Sequence, residues 1–311
     1  MIGPRSSLGC AVLLVTAGCE LVIGVDPRAE VTASTSSTSA ASVGAGASAT
    51  SAASVGGSGG GCSSAGGCDG VDPYSDVILA DGPLAYWRLN ETMGPQVADS
   101  SCAMMNPALF HDGASGELLV LRAPGVLDYD TAIEFAGEDN QHISAASSFD
   151  FAEGESFSLE AWVKPVYHDG LNRRIFDKHQ YGPPRRGYFL SFAIDGVIFD
   201  RWVDDERQGV TSTSLLTLGE WAHLVGTYDA AAMRTCLYIN ARAWCSTTAL
   251  AGSTSTSDDF RIGATSGGST GPEGTLDELA VYGYALTAQQ VYAHCTAANA
   301  VDCEAPSDPC P

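Results

Sequence analysis

From about Ala80 onward the chain alternates apolar and polar residues with a period of two. Phe157, Leu159, Ala161 and Val163 fall on one face of an extended segment, with Ser158, Glu160, Trp162 and Lys164 on the other. Tyr188, Leu190 and Phe192 alternate with Phe189, Ser191 and Ala193, so that segment is apolar on both sides. Val197, Phe199, Arg201 and Val203 alternate with Ile198, Asp200 and Trp202, while Trp221, His223 and Val225 alternate with Ala222, Leu224 and Gly226. Turn signals at Asp169-Gly170, Asp195-Gly196 and Gly219 part the runs. Many short strands between regular turns predict an all-β sandwich or barrel. One helix is predicted as well. Thr287 and Gln290 form a capping box, and the run from Val291 to about Ala298 closes the domain with a short C-terminal helix.

The pattern stops short of the amino terminus. Residues 31–67 are almost entirely Ser, Thr, Ala, Gly and Val, and cannot bury enough apolar surface to offset their backbone entropy. A flexible tether over 19–74 is therefore expected, followed by a folded domain over 75–297 and a Cys-containing tail over 298–311. All five Trp lie after the tether. Residues 1–18 carry Arg5, the apolar run Leu8–Thr16 and then small residues, the layout of an export signal, with the run too short to span a bilayer. Val15-Thr16-Ala17-Gly18-Cys19 resembles the lipobox of bacterial lipoproteins, which implies lipid attachment at Cys19. Glu20 then points to the outer membrane of the cell envelope. Free secretion after ordinary cleavage is the alternative. Contact with the membrane is expected through the lipid anchor only.

The chain carries 37 acidic against 15 basic residues, a net charge of −22. No basic stripe is present, which excludes a nucleic-acid partner. Of the ten cysteines, Cys10 lies in the signal and Cys19 at its end. The remaining eight form an even set that reads as disulfides in an exported chain, with no zinc-site spacing. One pair follows from geometry. If Asn240-Ala241 is a two-residue turn, Ile239 faces Arg242 and, three steps further out, Cys236 faces Cys245. The pairing of Cys62, Cys68, Cys102, Cys295, Cys303 and Cys310 stays open.

A family resemblance runs across residues 75–297. Leu84-Ala85-Tyr86-Trp87-Arg88-Leu89-Asn90-Glu91 with Ala98-Asp99-Ser100-Ser101, then Ala132–Gly137, Phe157–Val163, Trp221–Asp229, Leu237–Asn240 and Leu276–Tyr282 resemble, in order, the blocks of LamG-like jelly-roll domains of the concanavalin A-like lectin/glucanase type. The resemblance implies a two-sheet antiparallel jelly-roll sandwich, often used to recognise glycans or proteins.

Candidate chemistry is sparse. Asp277 shares a strand face with Leu279 and Val281, so it points inward, where a carboxylate needs a cation or several donors. The resemblance implies a structural Ca2+ near it, with Glu91 and Asp99 as helpers; loop amides are the alternative. Paired carboxylates of the glucanase kind, a nucleophile elbow and a phosphate loop are missing, so no enzyme is expected. Glu160 with Trp162, and Trp202 with Asp200, are candidate glycan contacts, though the same Trp side chains also suit a core. The polar loops Tyr167–Arg186 and Ser266–Glu273 are where recognition is expected, with Arg173, Arg174, Arg185 and Arg186 able to meet acidic sugars. The function expected is that of a non-enzymatic surface module binding a glycan or protein partner, with a structural envelope protein as the second reading.

Overall fold

A computed structural model describes residues 70–113, 119–145, 149–167, 169–247 and 250–306. The elements run α1 (Pro73–Ala80), β1 (Ala85–Trp87), β2 (Gln96–Val97), β3 (Ala108–His111), β4 (Val120–Pro124), β5 (Thr131–Ala136), β6 (His142–Ser144), β7 (Phe157–Tyr167) and β8 (Arg173–Gln180). They continue with β9 (Arg186–Ala193), β10 (Gly196–Val203), β11 (Glu206–Thr211), β12 (Ala222–Asp229), β13 (Arg234–Ile239), β14 (Arg242–Ser246), β15 (Arg261–Ile262), β16 (Glu273–Tyr282) and α2 (Ala288–Ala298). All belong to one compact unit, Gly56–Pro311; the other unit, Met1–Val55, lies outside the described residues. The expected signal, Cys19, and most of the tether lie outside them too.

Two antiparallel sheets result. The first has the order β14-β13-β12-β7-β16-β5-β4, with β1 also paired to β16; the second has the order β11-β10-β9-β8-β15-β6-β3-β2. This is the expected jelly-roll sandwich. Phe157, Leu159 and Ala161 from β7 pack with Tyr188, Leu190 and Phe192 from β9 and Phe199 from β10 in the core between the sheets. The period-two pattern arises because each strand must turn alternate side chains into this layer.

A second apolar layer lies on the outside of the first sheet. Trp162, Val225, Tyr238, Ala280 and Tyr282 meet Tyr74, Ile78 and Leu79 of α1 and Val291 and Cys295 of α2. Burying Ile78 and Leu79 contributes roughly 1.5–3 kcal/mol each before entropy is counted. Helix α1 starts at Pro73, two residues before the expected domain boundary. Its signal is local: Asp72 accepts from the Tyr74 and Ser75 amides, the Ser75 hydroxyl answers the cap, and proline occupies the first turn.

The predicted hairpin is present. Asn240 and Ala241 both have positive φ (50° and 65°), as a type I′ turn requires, and Cys236 pairs with Cys245 in register and by a disulfide. Cys295 bonds Cys303, which ties the end of α2 to the following tail, and Cys102 is disulfide-bonded as well. Cys62, Cys68 and Cys310 lie outside the described residues. The expectation of a long loop over Tyr167–Arg186 is corrected: Arg173–Gln180 is strand β8. Its outward residues Arg174, Asp177 and His179 are polar yet buried, so polarity alone read as loop.

Candidate functional site

The outward face of the second sheet gathers an unusual set of polar side chains. The register aligns three rows across β8, β9, β10 and β11: Arg174–Ser191–Ile198–Thr211, Asp177–Phe189–Asp200–Gly209 and His179–Gly187–Trp202–Arg207. Gly209 makes room for its neighbour, since a Cβ there would collide with the Asp200 carboxylate. Asp200 holds Arg207 at 2.6 Å through Oδ2. The His179 ring lies 4.4 Å from Tyr181, 5.4 Å from Trp202 and 5.9 Å from Phe189. Arg185 lies over the Trp202 ring at 5.2 Å.

Several buried polar atoms on this face have no hydrogen-bond partner in the protein: both ring nitrogens of His179, Ser191 Oγ, Asp200 Oδ1, Trp202 Nε1 and Arg174 Nη1. Buried polar groups are almost always paired, so such a cluster demands an explanation. Burial sets the local protonation. It pulls His179 down to about 4, with Arg174 and Arg185 adding to the effect, and pushes Asp177 up to about 6 against the pull of Arg174. Burial also raises Asp200 above the usual carboxylate range. A neutral imidazole inside an aromatic cage and a half-satisfied carboxylate offer both donors and acceptors to a polar ligand.

Of the three candidate glycan contacts, Trp202 lies on this outward face, whereas Glu160 and Trp162 do not. Both are fully buried beneath the helices. Trp162 Nε1 donates to the Tyr74 hydroxyl at 2.8 Å. Glu160 accepts from His223 Nε2 at 2.7 Å, from the Tyr282 hydroxyl at 2.7 Å and from His294 Nδ1 at 3.0 Å. Their face was assigned correctly; what covers it is α1 and α2, which strand alternation does not reveal.

Asp277 is buried, but not on the expected face. It stands opposite Trp162 in the register, and a bulge in β16 between Asp277 and Ala280, with Glu278 at φ 50°, leaves Leu279 and Val281 in the core between the sheets while both acids lie in the layer under the helices. Carboxylate oxygens of Asp130, Asp277 and Glu278 lie within 4.8 Å of one another. Arg88 meets this group, 3.2 Å from Glu278 and 3.0 Å from Asp130, and also reaches Asp72 at 2.7 Å. Tyr86 donates to Glu278, and the Val126 amide donates to Asp277 at 2.8 Å. Glu91 and Asp99 do not join them. Glu91 accepts from the Ala98 amide, and Asp99 clamps a loop by accepting from the amides of Tyr86, Ser101 and Asn106. Four carboxylates thus face one guanidinium. Burial, together with mutual repulsion, pushes Asp277 and Glu278 well above the usual carboxylate range. All-oxygen donors carrying excess negative charge fit a hard divalent cation.

A sequence profile described as the concanavalin A-like lectin/glucanases superfamily matches residues 136–292. The chain belongs to this superfamily. Among solved structures, this concanavalin A-like chain is similar to the binding domain of Paraclostridial Mosquitocidal Protein 1, with 14% identity and a TM-score of 0.53, covering 69% of this chain and 52% of that one. It is also similar to domain 4 of AbnA, a GH43 extracellular arabinanase from Geobacillus stearothermophilus in complex with arabinotriose, with 19% identity, a TM-score of 0.52 and 68% and 98% coverage. The binding domain of botulinum neurotoxin serotype G follows at 14% identity, a TM-score of 0.52 and 69% and 50% coverage. The chain spans about half the length of the two toxin domains, and at these identities the likeness concerns the fold. No curated protein matches in sequence.

On this concanavalin A-like sandwich, Trp202 and Asp200 of the polar outward face were sequence candidates, whereas His179, Ser191 and Tyr181 beside them were not. The available signal was the alternation of β9, where Phe189 and Ser191 share a second face, together with Gly187 and Gly209 interrupting the rows.

Proposed function

We propose that the protein is a non-enzymatic recognition module that binds a saccharide on the outward face of its second sheet. The observation that carries this reading is the cluster of partnerless buried polar atoms beside Trp202, His179 and Tyr181. Sugars present apolar ring faces and many hydroxyls, which suits aromatic side chains flanked by unsatisfied donors and acceptors. The similarity to an arabinanase domain in complex with arabinotriose and to toxin binding domains supports a binding role. Asp277, Glu278 and Asp130 would hold a structural Ca2+, whose charge would offset their repulsion and fix the bulge of β16. Export and a lipid anchor at Cys19 would place the module on the cell surface.

A glycan array followed by calorimetry tests the reading. Trp202→Ala and Tyr181→Ala are expected to lose saccharide binding while keeping the wild-type melting temperature within a few degrees. Binding indifferent to both substitutions overturns the site. Absence of any saccharide ligand returns the structural envelope role.

A further inference from the structure

Beside the Trp202 face, a pocket of about 460 Å³ opens between the start of β8 and the loop Thr265–Thr270. Arg174 lines it, with a side chain only 7% exposed. Its Nε pairs with Asp177 at 2.9 Å, its Nη2 reaches the Tyr181 hydroxyl at 3.1 Å, and its plane stacks on Phe189 at 3.6 Å. Three of its faces are thereby fixed. The remaining nitrogen, Nη1, is buried and has no partner.

The opposite wall is rich in hydroxyls and rigidly held. The Thr265 amide donates to Ser269 O at 2.9 Å, and the Arg174 amide donates to Thr270 O at 2.9 Å. Arg261 pins the loop at Thr265 O (3.2 Å) and Arg173 pins it at Gly271 O (3.0 Å). Thr270 Oγ1 is a second buried atom without a partner. Among the described residues no carboxylate lines the pocket, although acids outnumber bases 37 to 15 in the chain. A preorganised guanidinium, held along one edge by Asp177 and keeping one free N–H on a side lined by hydroxyls, is suited to an oxyanion.

We propose that this pocket is an anion-accepting subsite, in which Arg174 takes the carboxylate or sulfate of an acidic saccharide lying along the Trp202–Tyr181 face. The proposal rests on the saccharide reading above and narrows it to anionic glycans. Arg174 and Trp202 stand two rows apart on the same sheet face, so one short oligosaccharide can stack on the aromatic end and place its charged group in the pocket. A rigid floor adds affinity because little side-chain freedom is lost on binding.

The test uses the full chain and matched pairs of probes: oligogalacturonate against its methyl ester, and sulfated against desulfated keratan oligosaccharides, which carry no uronic acid. At least one acidic member is expected to bind about tenfold or more tightly than its neutral twin, a preference that shrinks as salt rises. The pair that shows it tells carboxylate from sulfate. Asn172 lies exposed at the rim, so Asn172→Asp tests the pocket without disturbing the Arg174–Asp177 pair. It is expected to collapse the acidic-to-neutral ratio toward one, as is Arg174→Gln if that variant folds. Neutral and acidic twins binding equally, or a ratio unmoved by Asn172→Asp, overturns the subsite and leaves the saccharide reading intact. Failure of every probe, neutral and acidic, overturns both.

Discussion

Glu160 and His294 meet in the buried layer under the helices, with His294 Nδ1 3.0 Å from Glu160 Oε2. The other ring nitrogen of His294 lies 2.9 Å from Oδ2 of Asp81. Both nitrogens thus face carboxylates, and only the doubly protonated imidazolium can donate to both. The network joins the C-terminal end of α1, strand β7 and helix α2, so one cation holds the helical layer to the sheet.

The charge state gives this network a pH signature. Burial pulls His294 down, but Glu160 and Asp81 outweigh it and push it up to about 9, from 6.5. A raised histidine stabilises fully below its unfolded value and loses that contribution as pH climbs through the folded one. Glu160 is held below the usual carboxylate range: burial opposes this, and His294 and His223 outweigh it. Its contribution is present above about 4.5 and fades on acidification. The melting temperature should therefore drop between about pH 6.5 and 9. His294→Gln should flatten that limb and cost about 3–5 kcal/mol near pH 6, because it removes the cation paired with the buried Glu160, which keeps only His223 and the Tyr282 hydroxyl. Denaturation from pH 5 to 10 checks both, and a parallel pH profile in the variant would sink the assignment.

The Cys236–Cys245 bond locks the edge hairpin of the first sheet over a sequence separation of 9. So short a loop removes limited entropy from the unfolded chain, and replacing both cysteines by alanine should cost about 2–3 kcal/mol. Urea unfolding measures it. A double variant as stable as wild type would show the hairpin turn alone sufficient.

What the sequence made legible is local. Asn240-Ala241 between two strands and Thr287 with Gln290 each carry their geometry within a few residues, and both features are present as expected. What it hid is what distant elements cover. Glu160 and Trp162 fall on the expected face, yet α1 lies some eighty residues away in sequence and closes over them. Arg174, Asp177 and His179 read as loop because the segment that helps to cover them, around Ser266, comes much later; its amide donates to Asp177 at 3.1 Å. Asp277 defeated alternation for a different reason: a bulge between it and Ala280 breaks the alternation of β16, so Asp277 lies on the side opposite Leu279 and Val281, and no residue announces the bulge.

Gly226 sits at a close contact between the two sheets. A Cβ there would lie 2.5 Å from Cδ2 of Phe199, a fully buried ring that also packs edge-on against Phe157. Gly226→Ala should destabilise by roughly 1–3 kcal/mol through overpacking, despite its better fit to a strand. Phe199→Leu should recover part of that loss, giving a favourable coupling in a double-mutant cycle. Additive losses would mean that the sheets adjust without strain at this contact.

Asp277 and Glu278 provide the test for calcium. Their raised pKa values mean that the metal-free protein gains stability from them in acid and loses it as pH rises through those values. A bound divalent cation replaces the protons, so its effect should grow with pH. At a free concentration a hundred times Kd it should stabilise by about 2.7 kcal/mol, and chelator should remove that gain. Asp277→Asn removes one of the repelling charges. The variant should match or exceed metal-free wild type in melting temperature at pH 8 and respond to neither calcium nor chelator. Wild-type melting unchanged by millimolar calcium and by chelator from pH 6 to 9 would leave Arg88 as the only counter-charge at this site.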